Sequence, residues 1–195
     1  MGNPLVIRYT DPASLSPLTA RIEGTEEPFV IALDGFCASG KTTLAGFFEK
    51  RYGARVIHTD DFYLPREMRS DERYAEPGGT IHYERLMEEV ISKLSAPSLS
   101  YGVFSHETFS IVKTRVLPYA RITVIEGAYA SHPVFGEYAD LRCFMETDPG
   151  SQRERILARN GPERLKLFEA RWIPYERNYE AAFGIREKAD FIIRT

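Results

Sequence analysis

The sequence predicts a three-layer α/β fold, with a parallel sheet of five strands covered by helices on both faces. Three observations carry that expectation. Short apolar runs at 29–34, 54–58, 121–126, 141–146 and 190–194 alternate with helical periodicity at 42–52, 80–95, 150–159 and 165–182. The first run, Phe29-Val30-Ile31-Ala32-Leu33, is apolar throughout, as a strand buried on both faces must be. Close behind it comes Gly35-Phe36-Cys37-Ala38-Ser39-Gly40-Lys41-Thr42, a complete G-x-x-x-x-G-K-[ST] phosphate loop opening a helix. Together these mark a P-loop NTPase fold.

In chain order, residues 1–28 form a leader rich in Pro, Ser and Thr, in which Asp11 or Ser14 caps a short helix running to Arg21. Residues 29–195 form the nucleotide-binding domain. Its loop from Gly35 through Ala38, Ser39, Gly40, Lys41 and Thr42 to Thr43 turns successive backbone N–H groups toward phosphate oxygens. The helix N-terminus that follows adds its dipole. Lys41 supplies a mobile positive charge for the β- and γ-phosphates, and the Thr42 hydroxyl is a ligand for Mg²⁺. In such a sheet the ligand lies beyond the carboxyl ends of the strands, so the chemistry belongs just after residues 34, 58 and 126.

After the second run stands His58-Thr59-Asp60-Asp61-Phe62-Tyr63. A carboxylate there can orient an attacking hydroxyl and accept its proton beside the metal, which singles out Asp60; the alternative is an Asp pair that merely caps the next turn. Residues 99–117 interrupt the strand–helix rhythm. Ser100–Phe104 and Thr108–Val112 read as short strands of a β-hairpin arm over the site. After the next run, Glu126 ends an apolar strand and precedes Gly127, placing a second carboxylate where it can hold Mg²⁺. The basic stretch at about 153–171 forms an arginine-bearing helical lid. Arg155 and Arg159, one helical turn apart, are its best candidates for clamping phosphate and absorbing transition-state charge.

Composition excludes other classes. A formal charge of −3 gives no basic excess for nucleic acid. No apolar stretch approaches the ~20 residues that span a bilayer, and Met1-Gly2-Asn3-Pro4 does not open a signal peptide. Cys37 and Cys143 read as reduced thiols of a cytoplasmic protein, with Cys37 a small loop-filling residue rather than a redox sensor. Nothing in the exposed pattern selects an oligomeric state, and a homo-oligomer remains open.

The loop at Gly35–Thr43, the stretch Asp60-Asp61-Phe62-Tyr63 and the pair Glu126-Gly127, in this order and spacing, resemble uridine kinases and their relatives. Those relatives include nicotinamide riboside kinases, phosphoribulokinases and bacterial pantothenate kinases. The resemblance runs from about residue 29 to 195, and Tyr101-Gly102-Val103-Phe104-Ser105-His106 is similar to the Tyr-x-Phe-x-x-His stretch of the uridine kinase arm. It implies an ATP- and Mg²⁺-dependent kinase acting on a hydroxyl of a small molecule, nucleoside-like first, with nicotinamide riboside, pantothenate or another small alcohol as alternatives. By that resemblance Asp60 is the general base, Lys41 the phosphate ligand, and Thr42, Asp60 and Glu126 the metal ligands. Tyr63 and Asp61 then line the acceptor site, while Tyr101 and His106 touch its base-like part. One departure stands out. Uridine kinases carry an acid after a proline that grips the ribose diol, whereas this chain reads Glu76-Pro77-Gly78-Gly79. A P-loop ATPase or nucleotide-dependent switch is the rival class, but the chain has no Asn-Lys-x-Asp base reader.

Overall fold

The computed structural model describes residues 3–195. In chain order the first half contains β1 (Leu5–Arg8), α1 (Ser16–Glu23), β2 (Phe29–Gly35), α2 (Lys41–Tyr52), β3 (Arg55–His58), α3 (Asp71–Ala75) and α4 (Tyr83–Glu89). The second half contains β4 (Ser98–Ser105), β5 (Ser110–Pro118), β6 (Ile122–Glu126), β7 (Leu141–Glu146), α5 (Pro149–Leu167), α6 (Ile173–Phe183) and β8 (Phe191–Arg194). Six strands pair in parallel in the order β1-β8-β7-β2-β6-β3, and β4 and β5 form a separate antiparallel hairpin.

Strand periodicity divides the sheet's side chains between two cores. Val56, Val124, Cys143 and Met145 face one way, against Leu44, Ala45 and Phe48 of α2 and Leu18 and Ile22 of α1. Their neighbours Ile57, Ile125 and Phe144 face the other way, against Leu86 of α4, Tyr179 of α6 and the arm residues Leu99, Tyr101 and Val103. The sheet is therefore covered on both faces, as its apolar strands require.

The sheet has six strands where the sequence predicts five. The extra one is β1, from the leader, in register with β8 through Leu5↔Phe191 and Ile7↔Ile193. It escapes sequence reading because only Ile7 of its four residues is buried, so no apolar run marks it. Asp11 does cap a turn, its carboxylate accepting from Ser14 N–H at 3.0 Å. That turn, Pro12–Leu15, is 3₁₀ and leads into α1. The helix expected over 80–95 is confined to α4 and a short turn at Ile91–Lys93, because Val90 leaves helical geometry (φ −125, ψ −65). The helix expected at 150–159 continues to Leu167 but breaks at Gly161 (φ 78, ψ 172), just before Pro162. A wide π-helical turn at Phe168–Trp172 then joins it to α6. Among the described residues no helix is long and apolar enough to cross a membrane.

Candidate active site

The phosphate loop leaves the carboxyl end of β2 through backbone that favours glycine: Gly35 and Gly40 have φ of 138 and 92, and Ala38 joins them at 59. Its base is fixed by Asp34, which is almost completely buried. One Asp34 oxygen accepts from Gly35 N–H at 2.7 Å and Tyr129 N–H at 3.1 Å. The other accepts from Ser131 N–H and the Tyr179 hydroxyl, both at 2.8 Å. Burial pushes this carboxyl up, and the hydrogen bonds from Ser131, Gly35 and Tyr179, with the charge of Lys41, oppose that effect. Lys41 Nζ donates to the Gly35 and Phe36 carbonyls at 2.9 and 2.8 Å, so the ammonium lies across the mouth of the loop.

Two carboxylates converge on that loop from the ends of neighbouring strands. The Thr42 hydroxyl donates to Glu126 Oε1 at 3.0 Å, and His58 Nδ1 lies 2.6 Å from the same oxygen. The hydrogen bond to Glu126 raises the His58 pKa, which favours its imidazolium form. Asp60 lines the same cleft and is open to its solvent, with protein packed around the rest of it. Desolvation and then Glu126 raise its pKa, against the pull of Lys41, His106 and His58. The pair Thr42–Glu126 is a hydroxyl–carboxylate set of hard oxygens, suited to Mg²⁺. Among the described residues no three His, Cys, Asp or Glu side chains converge as a metal cage. Any Mg²⁺ here must therefore complete its shell with phosphate and water. Gly127 makes this convergence possible: with φ 138, it lies where a Cβ would sit 1.9 Å from Thr59 Oγ1. The close approach lets the Thr59 hydroxyl donate to Ala128 O at 2.9 Å, tying β3's exit to β6's.

These groups share one cleft of about 960 Å³. Lys41, Thr42, Thr43, Asp60 and Glu126 line its floor, and Arg155, Arg159 and Arg164 line its lid side. Arg155 Nη1 donates to Ala38 O at 3.1 Å and to Thr195 Oγ1 at 2.8 Å, which seats the lid helix on the loop. Beyond Asp60 the wall is aromatic. Tyr63 meets His106 edge-on at 4.6 Å and Trp172 at 5.9 Å between ring centroids. Burial lowers the His106 pKa and keeps its imidazole neutral. Of the expected acceptor contacts, Tyr63 and the arm's His106 line the cleft, while Tyr101 and Asp61 do not. Tyr101 is buried against Phe62 at 5.1 Å. Arg115 lies 3.4 Å from both Asp61 Oδ2 and the Tyr101 hydroxyl, so these two expected acceptor contacts sit in a cluster that anchors the arm.

No family model matches the chain. A uridine kinase from Ureaplasma parvum serovar 3 is 27% identical over 157 residues, which covers 75% of each chain. The fold matches a possible uridine kinase from Bacillus stearothermophilus with a TM-score of 0.70, at 21% identity over 92% of this chain and 96% of that one. It also matches a candidate fructose transport system kinase from Silicibacter sp. TM1040, with a TM-score of 0.65 at 18% identity over 91% and 97%. The chain is similar in sequence to uridine kinases and shares the fold of these P-loop kinases.

The chain uses Pro77-Gly78-Gly79 for packing. A Cβ on Gly78 would meet His132 Cδ2 at 2.5 Å, and one on Gly79 would meet Arg73 O at 1.9 Å. His132 Nε2 lies 3.2 Å from Pro77 O, which closes the loop against the protein. Neither Glu76, His82 nor Glu84 takes the place of an acid in the cleft. Glu84 pairs with Arg73 at 2.9 Å, and His82 caps α4.

Sequence reasoning missed several residues that shape the cleft: Tyr9, Trp172, Phe168 and Glu176. Glu176 is the most consequential. It is nearly buried, and its Oε2 accepts from Cys37 N–H at 2.8 Å. Gln152 Nε2 holds the other side of Cys37, 2.9 Å from its carbonyl and 3.4 Å from Sγ. Burial and then Glu176 push the Cys37 thiol up, away from the reactive thiolate, consistent with a packing role. Burial also pushes the Glu176 carboxyl up to about 7, against the attraction of Lys41. The unfolded chain loses that proton near the ordinary glutamate value of 4.5, and the folded chain holds it to about 7. Stability therefore falls as pH rises through that window and stays lower above it. Glu176→Gln keeps an acceptor for Cys37 N–H and removes the titration. Urea unfolding should show it more stable than the parent by up to about 3 kcal/mol at pH 8, with the two equal near pH 4.5. A loss of stability at pH 8 would mean that ionised Glu176 is a favourable partner of Lys41.

Proposed function

We propose that this chain is an ATP- and Mg²⁺-dependent kinase that transfers the γ-phosphoryl group to a hydroxyl of a small, nucleoside-like molecule. One observation carries the reading: Asp60 stands in the same cleft as the phosphate loop and the Thr42–Glu126 pair, with the aromatic wall of Tyr63, His106 and Trp172 beside it. A phosphate loop alone serves many chemistries. A proton acceptor next to a ring-lined recess serves group transfer to an organic alcohol.

The chain's own groups divide the work. Asp60 orients the acceptor hydroxyl and takes its proton as the new P–O bond forms. Its crowded, partly desolvated carboxylate has a raised proton affinity, which strengthens it as a base. Lys41 and the loop amides hold the transferring phosphate in line, and Arg155 and Arg159 on the lid side absorb developing charge. Thr42 and Glu126 supply oxygen ligands to a divalent cation, which when bound screens the phosphates. Tyr63 and His106 stack against the flat part of the acceptor and exclude water from the transfer. Both cysteines are free thiols, which fits a cytoplasmic setting.

The test is a screen of nucleosides, sugars and vitamin alcohols with the chain, ATP and Mg²⁺, read by mass spectrometry. One compound should gain the mass of one phosphate, and ATP consumption should depend on its presence. ATP hydrolysis that proceeds equally without any alcohol would replace the kinase reading with an ATPase. Within the kinase reading, the packed Pro77-Gly78-Gly79 loop favours a second class of acceptor, a sugar-like alcohol, because no acid follows the proline to grip a ribose diol.

A further inference from the structure

The leader segment, which sequence reasoning leaves without a role, enters the cleft at one point. We infer that Tyr9, carried by β1, is the platform on which the base of the donor nucleotide stacks; this rests on the donor reading proposed above.

The argument begins with register. Arg8 pairs with Arg194, and Tyr9 N–H donates to Arg194 O at 2.8 Å, so Tyr9 stands beside Thr195 just past the carboxyl end of the sheet. That is the end where a ligand of an open α/β sheet lies. Strand alternation puts Tyr9 on the same face as Ile7, which is buried in the core that contains Leu44 of α2. The ring packs partly against that core and leaves the rest of its surface to the cleft.

Asp60, Tyr63 and His106 line the cleft where the Tyr63 and His106 rings meet. Tyr9 and Thr195 line it at the end of β8, beside Met145 and the Gly40 turn. If the γ-phosphate faces Asp60, the phosphate chain runs along the loop toward Thr43, and the nucleoside must continue beyond it. Thr195 and Met145 close that far end from behind. A Cβ on Gly40 would lie 4.0 Å from Thr195 Cγ2 and 3.7 Å from Met145 Cε. A second cavity of about 700 Å³ shares Tyr9 and Thr195 with the cleft, so the ring stands between two spaces and can take a flat ligand against its face. An anchored aromatic ring suits this role. Its stacking with a base needs no particular hydrogen bonds, and little side-chain freedom is lost.

The test separates base from phosphate. Calorimetric titrations with Mg²⁺ present measure ADP and inorganic pyrophosphate binding to the parent chain, Tyr9→Phe and Tyr9→Leu. Leucine keeps apolar packing and removes the π face, and thermal melting checks that each variant folds. Tyr9→Leu should weaken ADP about tenfold, the loss of one base–aromatic stack, and leave pyrophosphate unchanged. Tyr9→Phe should match the parent. An unchanged ADP affinity in Tyr9→Leu, or an equal loss of ADP and pyrophosphate, overturns the assignment of Tyr9 alone. A parent chain that binds neither ligand overturns the donor reading and this inference with it.

Discussion

Asp60→Asn lowers phosphoryl transfer about a thousandfold and leaves nucleotide affinity within about threefold of the parent. A positioned general base contributes typically 10²–10⁴ in rate, and asparagine keeps the shape while losing the ability to take a proton. The substitution should not harm the fold. Asp60 is crowded by Glu126, whose charge raises its pKa, so neutralising one of the two relieves repulsion. Loss of transfer is therefore separable from loss of structure. The measurement is single-turnover transfer to the acceptor found in the screen, with equilibrium binding of ADP to the same preparation. A variant that transfers phosphate at the parent rate would remove Asp60 from the proton-accepting role. A variant that also loses ADP would make it a structural support of the loop.

Gly35→Ala should destabilise the chain by about 4 kcal/mol or more, enough to leave much of it unfolded at room temperature. The added Cβ would lie 2.1 Å from Met145 O and 2.7 Å from Met145 N. Those atoms are backbone of the adjacent strand, held in register at Gly35↔Met145, so no side chain can swing aside. The φ of 138 adds strain that any L side chain would feel. Gly46→Ala is the control. It lies inside α2 with nothing within 4 Å of the new Cβ, so it should gain up to about 1 kcal/mol from helix propensity. Urea unfolding of both variants checks the contrast, and a Gly35→Ala protein as stable as its parent would mean that β2 and β7 can part without cost.

Much of the fold is legible in the sequence because its strands are apolar on both faces and its first loop carries a complete phosphate-binding motif. Residues 29–34 and 121–126 need no tertiary knowledge to be seen as central strands, and both lie at the middle of the sheet. The edge strand β1 is not legible. Leu5 and Val6 are about half exposed, so they obey no burial pattern and look like leader. The site divides the same way. Lys41, Thr42, Asp60 and Glu126 follow strand ends, where topology alone brings them together. Asp61 and Tyr101 are near Asp60 and His106 in the chain but face elsewhere. The Thr59–Phe62 turn puts Asp61 opposite Arg115 in the arm, a contact no spacing rule reveals. Glu176 is hidden for a different reason. Charged residues are common on helices, and only the packing of α6 under the phosphate loop makes this one a buried neighbour of Cys37.

The break at Gly161 gives the lid segment a property that neither of its ends has alone. Residues 162–172 run from that break through the wide turn at Phe168–Trp172. Arg164 near one end and Trp172 at the other both line the cleft, and Trp172 meets Tyr63 there. One continuous segment carries both the charge and the ring, so a change in the backbone angle at Gly161 would shift the two together.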